Sequence, residues 1–114
     1  FKDLRIVSTP AIPNNIEHAW YKLYLTINTK YLSKGITRKN IIEEINKNDI
    51  YCSFGSCGSI YKEKAFKGLK KNKTLNSSFL EEHSIVLEVH PTIPKKIIVE
   101  RSKVIKKILL RFQA

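Results

Sequence analysis

A chain of 114 residues with 21 Lys and Arg against 10 Asp and Glu has room for one modest core and carries a formal charge of +11. That length excludes a doubly wound cofactor-binding sheet together with a second lobe. No apolar run approaches the roughly 18 to 20 residues of a membrane helix, and the first residues lack the order of a signal peptide, so a cytoplasmic protein is expected.

Phe1 to Asn15 mixes Leu4, Ile6 and Val7 with Pro10 and Pro13 and reads as a lead-in strand or an extended linker, because proline blocks helix continuation and central-strand pairing. Ala19 to Ile27 is rich in aromatic and β-branched residues. Period-two alternation puts Tyr21, Leu23, Leu25 and Ile27 on one face and Trp20, Lys22, Tyr24 and Thr26 on the other. Lys22 interrupts the aromatic face and calls for a partner such as a carboxylate or phosphate. After a polar connection, Thr37 caps a helix over 38–48 whose buried stripe is Ile41, Ile42 and Ile45, with Ile36 and Ile41 at staple spacing.

Asn48-Asp49 turns the chain into a short strand beginning at Ile50, and the glycines at 55 and 58 break it. A helical segment follows from Ile60 or Tyr61 through Phe66, with Tyr61, Ala65 and Leu69 at fourfold spacing. Residues 70–77 read as a polar, basic loop, and Ser78 with Glu81 as a capping box for a short turn. Ile85 to Val89 is a second apolar strand. His90 to Pro94 is a rigid turn. The last helix carries Ile97, Ile98, Val104, Ile105, Ile108, Leu109 and Phe112 on one stripe, with basic residues near its C-terminus. This order gives an α+β fold, a small antiparallel or mixed sheet with helices packed on one face.

Cys52 and Cys57 lie five residues apart with no second pair and no local histidine cluster, so zinc spacing is missing and free thiols are expected. The lysines are scattered, apart from Lys70-Lys71-Asn72-Lys73, in a chain crowded with Ile, Lys and Asn. A nucleic-acid partner is therefore not expected, although a small basic polyanion-binding module without catalytic activity remains the alternative reading. His18, at the entry to the first long strand, has the chemistry of an acid/base group or of a strand-end hydrogen-bonding partner. The loop from Gly55 to Ser59 offers hydroxyls and free backbone N–H groups suited to an anion or a sugar hydroxyl, but lacks the lysine spacing of a Walker loop.

Taken together, His18-Ala19-Trp20-Tyr21-Lys22, Gly55-Ser56-Cys57 with Ile60-Tyr61 and Glu63-Lys64-Ala65-Phe66, and Val89-His90-Pro91-Thr92 resemble, in order and separation, the C-terminal small domain of DegT/DnrJ/StrS sugar aminotransferases. The chain departs from that pattern at Tyr51, at Gly58-Ser59 and at Leu75-Asn76. The resemblance implies the C-terminal domain of a fold-type I aminotransferase. In such enzymes a separate large domain holds pyridoxal phosphate on a lysine, and the small domain closes over a nucleotide-linked keto-sugar from surface polysaccharide or lipopolysaccharide biosynthesis. The amino-acid donor is expected to be glutamate, and the full-length enzyme to be a homodimer. His18, Tyr21, Gly55, Ser56, Cys57, Tyr61 and, more remotely, His90 are implied to lie near the sugar nucleotide. No lysine here sits in a cofactor-binding context, so the chain by itself is expected to bind no cofactor and to be inactive.

Overall fold

The computed structural model spans residues 1–114 and describes all but residues 56–57, 67 and 69–74. Its elements are β1 (Val7–Ser8), β2 (Lys22–Ile27), α1 (Arg38–Asn46), β3 (Cys52–Phe54), α2 (Leu75–His83), β4 (Ser84–Glu88) and α3 (Lys95–Phe112). The sheet is antiparallel throughout in the order β1-β2-β4-β3. Leu23 lies opposite Leu87, and Leu25 opposite Ile85. Together with Ile27 and Cys52 they make one apolar face, on which Ile41 and Ile45 of α1 and Ile105, Ile108 and Leu109 of α3 close the core. The opposite face carries Tyr24, Thr26 and Ser84, and α2 borders it.

Local chemistry explains most of the boundaries. The Thr37 hydroxyl accepts from the Asn40 N–H at 3.4 Å while Asn40 Oδ1 accepts from the Thr37 N–H at 2.9 Å, a capping box closed by asparagine instead of glutamate. α1 stops at Asn46, two residues early, because Asn46 turns its side chain to the sheet: Oδ1 accepts from the Cys52 N–H (3.0 Å) and Nδ2 donates to the Cys52 carbonyl (2.8 Å). This amide occupies the outer side of the edge strand and leaves β3 three residues long, starting at Cys52 and not at Ile50. The chain ends are stitched together, with Gln113 Oε1 accepting from the N–H groups of Arg5 and Ile6 at 2.9 and 3.0 Å.

Three further expectations need correction. The alternation expected from Ala19 begins only at Lys22, since Trp20 has φ 50, a left-handed conformation that costs a bulky side chain about 1–2 kcal/mol. The kink sends Trp20 toward Leu23 on the apolar side and leaves Tyr21 83% exposed. Residues 60–66 form two 3-10 turns, Ile60–Lys62 and Lys64–Phe66, separated by an extended Glu63; Leu69, expected to extend that helical face, lies outside the described residues. Residues 75–77, expected in a loop, are the first turn of α2, so Ser78 and Glu81 lie inside the helix and cap nothing; residues 70–74 lie outside the described residues.

Candidate functional site

On the face away from the core, an open groove of about 800 Å³ runs between Tyr24 and Thr26 of β2, Gly55 and the stretch from Gly58 to Tyr61, and Ser77, Leu80 and Glu81 of α2. Its wall is a chain of hydroxyls ending on a carboxylate. Glu81 Oε2 accepts from the Ser59 N–H at 3.1 Å, the Ser59 hydroxyl at 2.8 Å and the Lys62 ammonium at 2.8 Å. Ser59 Oγ lies 3.5 Å from Ser78 Oγ, which lies 3.0 Å from the Tyr61 phenol. The carboxylate fixes the polarity of the row. Ser59 spends its only proton on Glu81, so it accepts from Ser78, and Ser78 in turn accepts from Tyr61. The Tyr61 oxygen keeps its lone pairs as acceptor sites at the groove, ready for a hydroxyl or N–H on a ligand.

The ammonium of Lys62, followed by the N–H and hydroxyl of Ser59, holds the Glu81 carboxyl down at about 2, and the same contact raises Lys62 above its ordinary value. Ionisation of the phenol would reverse the row, the Ser78 hydroxyl and then that of Ser59 turning to the phenolate oxygen, and this lowers Tyr61. The groove is backed by two close approaches. A Cβ on Gly58 would lie 2.8 Å from Glu81 Oε1, and one on Gly55 would lie 3.1 Å from the Ser84 Cβ. Behind α2, Arg38 Nη1 donates to the carbonyls of Glu81 (2.6 Å) and Ser84 (2.9 Å) while its guanidinium stacks 4.7 Å above the Phe54 ring. Burial lowers its pKa, against the opposing pull of Glu82 and Glu81. Arg38 thus ties the helix carrying Ser78 and Glu81 to α1.

Of the residues expected at a site, Gly55 and Tyr61 meet in this groove, and Ser56 and Cys57, between two glycines that line it, lie outside the described residues. His90 lines a smaller cavity of about 310 Å³ on the opposite face, and its Nδ1 faces the Thr92 hydroxyl at 2.7 Å. His18 touches that cavity only through Trp20, accepting the Trp20 N–H on Nδ1 at 2.9 Å, with ring centroids 4.3 Å apart. Tyr21 lines neither cavity; its ring receives Lys22 Nζ at 5.6 Å, so among the described residues the partner of Lys22 is an aromatic ring. Cys52 is buried, which pushes its thiol up to about 12 and makes it inert. Ser59 belongs to the loop expected to offer hydroxyls, whereas Ser78, Glu81 and Arg38 were not anticipated at the site. The one sequence signal was the i, i+3 spacing of Ser78 and Glu81, which places both on one side of a helix.

Searches with the sequence match no protein-family model and no curated protein. Solved structures do match. An aminotransferase from Psychrobacter cryohalolentis superposes with a TM-score of 0.82 at 31% identity over 94% of this chain. The fold is shared with part of an aminotransferase. The chain spans 29% of that protein's length. The aminotransferase TlmJ from Streptoalloteichus hindustanus gives a TM-score of 0.74 at 11% identity, covering 96% of this chain and 28% of its own. A DegT DnrJ EryC1 StrS aminotransferase from Brucella abortus gives 0.70 at 16% identity, covering 90% and 26%. The four-stranded antiparallel sheet with three helices is therefore an α+β architecture found within aminotransferases, as expected.

Proposed function

We propose that this chain is the C-terminal, substrate-side domain of a DegT/DnrJ/StrS aminotransferase that passes an amino group to a nucleotide-linked keto-sugar in surface polysaccharide or lipopolysaccharide assembly. The observation that carries the reading is the 31% identity over 94% of the chain to an aminotransferase, in a fold whose larger groove is walled by hydroxyls. A row of hydroxyls polarised by an anion suits the hydroxyls of a sugar ring, for which directional hydrogen bonding outweighs apolar contact. In this reading Gly55, Ser56, Cys57 and Tyr61 meet the sugar, while His18, Tyr21 and His90 are reached by the rest of the substrate or by a second subunit. Glutamate would donate the amino group to a homodimeric enzyme.

The residues described here do not fit pyridoxal phosphate by themselves. No lysine lines either the groove or the smaller cavity, and Lys62, the nearest to the groove wall in sequence, is raised in pKa by its carboxylate, the reverse of what an imine-forming amine needs. The cofactor would be held by a large domain outside these residues, and this chain alone would be inactive.

The test is a titration of the chain with UDP-N-acetylglucosamine followed by backbone amide NMR, beside a parallel titration with a 12-mer oligonucleotide. Saturable shifts at Gly55, Gly58, Ser59 and Tyr61 are expected from the sugar nucleotide. Shifts produced only by the oligonucleotide, with steep salt dependence, would replace this reading with a polyanion-binding module.

A further inference from the structure

The smaller cavity lies on the core side of the sheet, walled by Leu23 and Leu87 of the central strands, Ile105 of α3 and the rings of Trp20 and Tyr51. Three observations set it apart from a packing defect. Trp20 departs from the strand geometry at φ 50, and His18 holds it there by accepting its N–H, so a strained backbone is kept with the only indole of the chain in the cavity wall. The acidic and basic side chains that line the cavity pair with each other, Arg101 Nη1 meeting Glu88 Oε2 at 3.3 Å. His90 is an exposed lining residue that bonds Thr92 through Nδ1, and its Nε2 has no protein partner among the described residues.

We infer that this cavity is a second binding site, taking an uncharged, planar group of about bicyclic size with one hydrogen-bonding atom directed at His90 Nε2. Size follows from the volume: an apolar cavity of roughly 150 Å³ holds a benzene ring, and this one has about 310 Å³. Neutrality follows from the compensated ion pair, since a charged guest would have to displace Glu88 or Arg101 or remain unpaired against an apolar wall. Flatness follows from the aromatic lining, where offset or edge-to-face ring packing adds to the burial of apolar area. The site is independent of any reading of the larger groove, which opens on the other face of the sheet.

Because Trp20 is the only tryptophan, 5-fluorotryptophan labelling gives a single fluorine resonance at the cavity wall. Titration of the full chain with indole as the probe should move that resonance saturably, with amide shifts at Ser102 and Ile105 and none at Gly58 or Ser59. His90→Ala should weaken the probe by roughly 2- to 10-fold through loss of one hydrogen bond. Ser102→Phe, which places a ring in the cavity, should abolish the shift while the far-ultraviolet circular dichroism stays unchanged. A non-saturating response, shifts centred on the larger groove, or undiminished binding to a folded Ser102→Phe variant would each overturn the inference.

Discussion

Replacing Arg38 by methionine keeps the unbranched stem over Phe54 and deletes the charged fork, which makes it a clean probe of the tie between α1 and α2. The guanidinium gives two short bonds to the carbonyls of Glu81 and Ser84. The Glu81 carbonyl belongs to the last turn of α2, where helical partners run out and positive charge is favourable. Hydrogen bonds to a charged group contribute about 1.5–3 kcal/mol each, and Arg38 is only partly withdrawn from solvent, so a net loss of about 2–3 kcal/mol is expected for the pair. With an unfolding entropy of about 2.1 cal/mol/K per residue, 114 residues give about 240 cal/mol/K, and the loss corresponds to a fall in Tm of about 8–13 °C. Thermal unfolding followed by circular dichroism reads it directly. A Tm within about 2 °C of the parent would mean that water replaces the guanidinium at both carbonyls, and the account of α2 as a clamped wall of the groove would be wrong.

Gly58→Ala should push the Glu81 carboxylate off its place, since the new methyl would sit 2.8 Å from Oε1, and the Glu81 titration should rise from about 2 toward its ordinary 4.5 in a carbon-detected NMR titration. An unchanged Glu81 midpoint would show that the loop yields instead of the carboxylate. Since the folded pKa of Glu81 is depressed, its contribution to stability is complete above about 4.5 and is lost as pH falls through about 2. Urea melts of the parent and Glu81→Gln should therefore converge between those pH values, and a constant gap would exclude the linkage. In a Cys57→Ser background, Cys52 should resist a thiol reagent at pH 8 until the chain unfolds, given its burial and raised pKa. Fast modification of the folded protein would show that the core opens at β3. Leu25→Ala and Leu109→Ala, each removing a fully buried side chain, should cost about 2–5 kcal/mol in urea unfolding. Losses below about 1 kcal/mol would place these side chains outside the cooperative core.

Much of the fold was legible because its periodicities are local. The alternation of Leu23, Leu25 and Ile27, the Ile41–Ile42–Ile45 stripe and the run ending in Ile108 and Leu109 each mark a buried face without knowledge of the neighbour, and all are buried or half-buried where expected. Ile98 departs from its stripe: it is 49% exposed and lines the smaller cavity.

The errors cluster where a side-chain hydrogen bond overrode the period of the element that carries it. Ser78 and Glu81 have the spacing of a capping box, yet Glu81 finds a better set of donors in Ser59 and Lys62, some twenty residues upstream. Asn46 looked like an ordinary helix residue and instead finishes the edge of the sheet. Trp20 looked like one more strand aromatic until His18 fixed its backbone in a conformation no alternation rule contains.

By itself, then, the sequence determined where the main apolar faces form and that one small α+β layer structure would result, because these depend on periods of 2 and 3.6 residues written along the chain. Tertiary structure alone decided that β4 pairs between β2 and β3, that Gly55 and Tyr61 share a groove while His90 looks out from the other face, and that Glu81 anchors a row of hydroxyls. Those outcomes rest on long-range hydrogen bonds and close approaches, and no local pattern of residues specifies which distant partner will satisfy a donor once the sheet has closed.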